Sequence, residues 1–587
     1  MAAGMEQLDT DVLVMGAGLA GIMAALRAAR SGAKVCIAAN GVIGSGSSFY
    51  PGTWGLGLIG PESKEDEKDL MEVILEIGEG MADKELVSCL VSGVSEGISS
   101  LKELGAEVKD AVNKGEREFI PCFDKKCRDW HGIVKEGTKE ALLAALEELD
   151  VKLLPRTAIT DIRMEDGRIA GAEAVRRGMD GGFLLISCKA MVIACGGLGG
   201  LFSRRLNTPD VTGIGQFLAM KAGASLMNLE FMQMMPGFFH PAPKTIYNEK
   251  VFRYSEFFCP DTGASVFADW SREKLEKLME IRSGHGPFTS RLDSREIDIR
   301  LYQEGLKHKE GIVLRYKGEL KENQPEFVRT YFQWLKEEKG LTIDDPVYMG
   351  IFAHASNGGI RIDCRAETGV NGLFACGEAT GGMHGADRLG GLSTANALVF
   401  GKIAGESAAE WCRGNTVHLG GKCSEGSLEG SSQEGKDKKI NPKRVRTEIL
   451  DVDRLLTKLQ KINYRAAMVV REEKVLLEAL RELETLKDEG ERQRRSLDEA
   501  GAEDGRGNAA EGKLRSLPPW ERYQKTRELE AAFVLSEALL RAARLRRESR
   551  GSHYRLDYPK KDKELEAPVI VSWKDGEVHL EQKRNDC

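Results

Sequence analysis

Three features of the 587-residue sequence predict an α/β fold with an inserted segment and a helical C-terminal region. The first is a strand–loop–helix–strand opening. Asp11–Met15 is a short, β-branched run, GAGLAG follows at once, an alanine-rich helical pattern covers Ile22 to Arg30, and Lys34–Ala38 makes a second strand. The second is a glycine surplus: 66 residues, about 11% against a typical 7%. No G-X-Y period accompanies it, so collagen is excluded and the excess belongs to particular loops. The third is helical periodicity with charged faces over 445–485 and 520–548.

Each element follows in order. Gly16-x-Gly18-x-x-Gly21 stands directly after a strand and before a helix. Glycines there permit a tight turn and close approach of backbone to a pyrophosphate, which the positive helix N-terminus favours. The acidic residue expected at the end of the second strand is missing, because Ala38, Ala39 and Asn40 stand there. Residues 64–105 are charged and helix-periodic, and Val151–Val175 reads as strands with a hairpin at Asp166-Gly167. Ala190–Ala194 is an apolar strand ending at Gly196-Gly197. From 225 to 345 the pattern changes to methionine, aromatic and charged segments, which predicts an insertion; glycine-rich sequence returns at 356–405. Residues 413–440 read as a flexible linker, and 487–515 as a disordered insertion between two helices. The expected division is therefore 1–224, 225–345, 346–412, a linker at 413–440, and 441–587 with a terminal extension.

Composition excludes several classes. With 84 Lys+Arg against 91 Asp+Glu, a net charge of -7 and no basic block, the chain is not expected to bind nucleic acid. The 12 cysteines contain no C-x-x-C pair, which argues against a zinc ribbon, an iron–sulfur cluster or a thioredoxin-type site, and no metal is expected. The start, MAAGMEQLDTDVLVMG, lacks a basic n-region and a long apolar core, so no signal peptide is expected. No run of about 18 apolar residues is present. A cytoplasmic, reduced protein is the expectation.

Four further segments carry a resemblance. SGSSFYPGTWGLGL (45–58), IACGGLGGLF (193–202), GLFACGEATGGMHGADRLGGLSTANALVFGKIAG (372–405) and ESRGSHYRLDYP (548–559) occur in the order found in one family. With the GxGxxG loop they resemble the flavoprotein subunits of succinate dehydrogenase and fumarate reductase, a family that includes L-aspartate oxidase. The resemblance implies a Rossmann-like FAD-binding domain in two sequence pieces, an inserted α+β capping domain and a C-terminal helical domain. It implies FAD contacts at Gly16, Ala17, Gly18, Ala20, Gly21, Asn40, Ser45, Ser47, Ser48, Gly55, Gly57, Gly196, Gly197, Glu378, Ser393 and Thr394. Among these, Gly16, Gly18 and Gly21 would meet the pyrophosphate, and Glu378 would supply the ribose carboxylate. Ser393 and Thr394 would start a helix whose N-terminus favours negative charge at the flavin.

In the family, hydride passes between flavin N5 and one carbon of a dicarboxylate while an arginine moves a proton at the other. Paired cations orient such a dianion, and the planar guanidinium suits carboxylate. Here His354 in HASNGGI and Arg388 in HGADRLGG match the family's substrate residues, and Arg291 in PFTSRLDSRE, with Arg295 as a substitute, is the candidate for the proton-moving arginine. Other positions depart. In LEFMQMMP (229–236), Met235 occupies the place of a substrate histidine and cannot donate a hydrogen bond to carboxylate. His240 is an alternative imidazole, and Met227, Met232, Met234 and Met235 read as an adaptable apolar wall. Ile214 replaces an aspartate of the family's T-G-D-G. Thr138 or Glu140 stands where respiratory members attach FAD through histidine, with His131 preceding, so FAD is expected to be non-covalent.

The resulting expectation is an FAD-dependent oxidoreductase acting on a carbon beside a carboxylate, C–C against C=C, with a substrate other than plain succinate or fumarate. L-aspartate oxidase-like amine oxidation, and an electron-transfer subunit with an altered substrate site, are the alternatives. Partners implied are a small carboxylate and an iron–sulfur electron-transfer subunit, through which the chain would lie peripheral to a membrane.

Overall fold

The computed structural model describes residues 6–53, 55–110, 123–126, 128–178, 181–322, 324–414, 451–500 and 517–582. Its centre is a five-stranded sheet in the order Leu373–Ala375, Ala190–Ile193, Val12–Met15, Val35–Ala38, Lys152–Leu154, every pair parallel. The second to fourth strands in that order are buried along their whole length, as a parallel sheet covered on both faces requires. Strands far apart in sequence are thereby made sheet neighbours: residues near 12, 190 and 373 lie side by side.

The helix after the glycine loop, Leu19–Arg30, packs against a long helix, Leu392–Gly414. Gly401 and Gly405, one turn apart on the second helix, face the backbone of Ala20 and Ala24, and a Cβ at either position would strike those carbonyls. The two helices thus approach to backbone contact. Gly16, at φ 111, likewise sits where a Cβ would collide with the Ala194 carbonyl.

A second sheet holds Thr157–Glu165 and Arg168–Arg176, joined by the predicted Asp166-Gly167 turn with both residues at positive φ. Gly182–Ser187 extends it, and Glu6–Asp9 adds a parallel edge. Within 225–345 and just beyond it, Met232–His240, Val347–Ser356, Ile312–Tyr316 and Ser255–Phe258 form an antiparallel sheet, with helices Arg272–Arg282, Arg295–Lys307 and Glu326–Lys339 beside it. The expected helical stretch at 64–105 is two helices, Lys64–Gly78 and Lys84–Glu103.

One expectation about the C-terminal region needs correction. Helix Glu473–Ala500 continues through the first half of the expected insertion at 487–515; residues 501–516 lie outside the described residues, as does most of the expected linker. The expected C-terminal helical region is present and is followed by a hairpin in its terminal extension. After helices Val452–Ala466, Glu473–Ala500 and Pro519–Leu545, Val569–Lys574 and Glu577–Gln582 form a hairpin that pairs with Leu226–Met227. Its turn, Asp575-Gly576, has both residues at positive φ. Among the described residues no helix is long and apolar enough to cross a membrane.

Candidate active site

The C-terminal ends of the parallel strands open into a cavity of about 420 Å³. Most residues expected at the cofactor line it: Gly16, Ala17, Gly18, Ala20, Asn40, Ser45, Ser47, Ser48, Gly55, Gly57, Gly196, Glu378, Ser393 and Thr394. Gly21 and Gly197 lie behind the wall, Gly21 against the Gly16 carbonyl and Gly197 against Glu378 and Ser356. Gly18 is the N-cap of Leu19–Arg30 and carries no side-chain cap, so that helix N-terminus faces the cavity with backbone N–H groups to offer.

The wall suits a large polar ligand. Ser47 Oγ, Asp210 Oδ1, His354 Nδ1, His384 Nδ1, Asn396 Oδ1 and Gln524 Oε1 all belong to lining residues, are buried, and have no hydrogen-bond partner among the described residues. Such groups are costly to leave unmade, and a bound molecule would satisfy them. With a glycine cradle at one helix N-terminus and Ser393 and Thr394 at the start of another, the site fits FAD.

Two predicted substrate residues meet here. Arg388 lines the cavity, and its Nε donates to Gln233 Oε1 at 3.0 Å. His354 lines it too; burial and the neighbouring Arg388 push its pKa down to about 3, so the imidazole is neutral. His384, also on the wall, is held well below its ordinary value for the same two reasons. Burial raises the pKa of Glu378, whose Oε1 accepts from Ser356 N at 3.0 Å. The neighbours of Glu378 are Ser356, Gly197 and Arg388, whereas those of Asn40 are Arg177 and Gln524.

The third predicted residue is elsewhere. Arg291 is not among the lining residues; its Nε donates to Asp387 Oδ2 at 2.8 Å and its guanidinium lies 4.8 Å from the Phe123 ring centroid. Burial raises the Asp387 carboxyl to about 6, against the opposing pull of Arg291 and Thr289. Arg295 is turned to the Ser290 carbonyl at 2.9 Å. His240 stacks on Tyr348 at 4.0 Å and pairs with Glu310 at 3.7 Å; it is also absent from the cavity wall.

Of the four methionines expected to form a wall, Met235 alone lines the cavity, clustered with Tyr50, Leu206, Ile246 and Phe352. Met227, Met232 and Met234 are buried in packing. Ile214 does face the cavity, an apolar group at the place of an expected polar contact. Near the start of helix Lys135–Glu148, Thr138 is buried away from the wall, and His131 Nδ1 is 2.7 Å from Asp110 Oδ1.

Sequence reasoning missed several lining residues. Gln233, which is not on the wall but accepts from Arg388, was missed too and had a signal, being the one amide in an apolar strand run. Asp210, four positions before Ile214 within the same glycine-containing loop, had another. Gln524, Arg527 and Glu528 come from the C-terminal helix and had none.

Comparisons with known proteins point to the same cofactor. A family model described as an FAD binding domain matches residues 11–394, and one described as fumarate reductase flavoprotein C-term matches 520–586. The chain is 27% identical over 596 residues to a fumarate reductase (CoM/CoB) subunit of Methanothermobacter marburgensis, covering 97% of this chain and 98% of that one. It is 27% identical over 423 residues to L-aspartate oxidase of Streptomyces coelicolor, covering 70% of each. Among solved structures, Sdh1 of Mycobacterium smegmatis in complex with UQ1 superposes with a TM-score of 0.75 at 23% identity, over 99% of this chain and 95% of that one.

Proposed function

Because the chain belongs to the family of flavoprotein subunits of succinate dehydrogenase and fumarate reductase, which includes L-aspartate oxidase, and is an FAD-dependent oxidoreductase of that type, we propose that it interconverts a C–C single and double bond beside a carboxylate, in a substrate with one carboxylate and an apolar far end. The observation that carries this reading is that Arg388 and Met235 line the same cavity. When bound, FAD supplies or receives the hydride.

The chain's own residues do the rest. With Nε given to Gln233, the Arg388 guanidinium is fixed in orientation, and its planar fork suits a carboxylate. His354, neutral because it is buried beside Arg388, hydrogen-bonds the substrate without adding charge. Met235 and its neighbours Leu206 and Ile246 accept an apolar group where a second carboxylate would be left unpaired. The Arg291–Asp387 pair is off the cavity wall, and because Asp387 directly precedes Arg388 we assign it the role of holding that arginine in place from behind. Ser393 and Thr394, at the start of Leu392–Gly414, favour negative charge on a reduced flavin.

FAD is held without a covalent bond, since neither His131 nor the start of helix Lys135–Glu148 lines the cavity. Acid precipitation should release the yellow colour to the supernatant. Electrons pass to or from an iron–sulfur partner subunit, the role left open by a chain with no C-x-x-C pair. The deciding experiment is anaerobic reoxidation of the photoreduced enzyme by a panel of unsaturated acids. Faster reoxidation by an unsaturated monocarboxylate with an apolar end than by fumarate is the expected result. Preference for fumarate would overturn the substrate assignment, and reoxidation by none would favour an electron-transfer subunit.

A further inference from the structure

In a dinucleotide fold the carboxylate at the end of the second strand binds the adenosine ribose, yet Val35–Ala38 runs on into Ala39 and Asn40 with no acid. The structure brings one from elsewhere. The C-terminal helix Pro519–Leu545 crosses this end of the cavity, and its Gln524, Arg527 and Glu528 line the wall together with Asn40 and Thr157–Thr160. Gln524 Nε2 donates to Asn40 Oδ1 at 3.0 Å and to Glu528 Oε1 at 2.8 Å. One amide therefore ties the Glu528 carboxylate to the end of the second strand. The buried Gln524 Oε1 has no partner among the described residues and waits for a donor.

We propose that Glu528 is the carboxylate that binds the adenosine ribose hydroxyls of FAD, supplied by the C-terminal helix in place of the acid missing after the second strand. Gln524 orients it and offers Oε1 to the same ligand. Glu378, bonded to Ser356 and packed on Gly197, serves a different part of the cavity. The consequence is that FAD bridges the Rossmann-like sheet and the C-terminal helix, so cofactor binding and docking of that helix are coupled. This rests on the assignment of the cavity to FAD.

The test uses the full chain freed of flavin, titrated with FAD by fluorescence quenching, with ADP and 2′,3′-dideoxy-ADP as competitors. Glu528→Gln should weaken FAD binding roughly ten- to a hundredfold, the effect of losing hydrogen bonds to a charged group. Wild type should prefer ADP to the dideoxy analogue, and the variant should not. The flavin-free variant should melt with the wild type, which separates loss of contact from loss of fold. Glu528→Gln that keeps both the FAD affinity and the preference for ADP would overturn the proposal, as would loss of that preference in Glu378→Gln alone. A wild-type chain that takes up no FAD would overturn the cavity assignment along with it.

Discussion

Arg291 and Asp387 are joined by an ion pair of 2.8 Å, and the chain passes from Asp387 directly into Arg388 on the cavity wall. The same carboxylate oxygen accepts the Thr289 hydroxyl at 2.6 Å. Two residues of the inserted segment thus hold one residue of the glycine-rich segment at 372–405, immediately behind the arginine assigned to the substrate.

The pair and His354 give opposite pH signatures. Asp387 loses its proton at about 3.9 unfolded and at about 6 folded, raised by burial against Arg291 and Thr289, with Glu79 adding to the rise. The folded state keeps the extra proton in that window, so this group makes stability fall as pH rises. His354, at about 3 folded and about 6.5 unfolded, makes stability rise with pH over its own window. Each slope is about 1.4 kcal/mol per pH unit, so they oppose between about pH 4 and 6. Asp387→Asn removes the falling slope. Its unfolding free energy, measured in urea, should gain on wild type by about 1.4 kcal/mol per pH unit across that window. A pH-independent difference would show that the carboxyl is not raised.

Arg388 and Gln233 should separate in kinetics. Arg388→Ala removes the carboxylate partner and should lower turnover by roughly a thousandfold while FAD stays bound. Gln233→Leu removes the partner of the guanidinium Nε. It should raise KM roughly tenfold with a smaller change in kcat, and guanidinium in the assay should not restore it. Equal losses in both parameters would mean that Gln233 does more than position.

Met235→His tests the far end of the substrate. The imidazole would replace a thioether packed among Tyr50, Leu206, Ile246 and Phe352. The ratio of kcat/KM for fumarate over an apolar monocarboxylate should rise by roughly tenfold or more, the worth of about one matched polar contact. An unchanged ratio would remove Met235 from substrate selection.

Gly16 and Gly18 should respond differently to alanine. At Gly16 a Cβ meets the Ala194 carbonyl and the φ is 111, so Gly16→Ala should fail to fold. At Gly18 the nearest atoms are Gly46 Cα at 3.7 Å and Ser48 Oγ at 3.8 Å, ordinary contacts. Gly18→Ala should therefore melt near the wild-type temperature without flavin, yet fail to retain FAD, because the new methyl stands between loops that line the cavity. Spectra at 450 nm and melting curves of both variants decide it.

The cofactor cradle was legible because its signals are local. A strand, a glycine loop and a helix are contiguous in sequence, and the same holds for the segments carrying Gly196 and Ser393. His354 and Arg388 reach one wall as their motifs implied. Arg291 did not follow, because its position depends on a carboxylate, Asp387, nearly a hundred residues away. Glu528 was invisible for the same reason: on its own helix it is an ordinary polar residue, and only docking turns it toward Asn40. The C-terminal hairpin was a different failure. VIVSWKDGEVHLEQ alternates around an Asp-Gly turn, a readable strand pattern that the helical periodicity before it obscured.

The order of the central sheet also sets a timetable. Leu373–Ala375 is the edge strand beside Ala190–Ile193, and the helix that clamps Leu19–Arg30 follows it at Leu392–Gly414. At roughly 5 to 20 residues per second, a ribosome needs on the order of 20 to 80 seconds to make the stretch that ends in Gly401 and Gly405. Throughout that interval helix Leu19–Arg30 lacks the partner that clamps it, and its apolar face is open to other chains. A nascent chain of this protein is therefore a client for chaperones until its latter third has emerged, and shortening it before residue 414 should yield aggregates rather than a smaller flavoprotein.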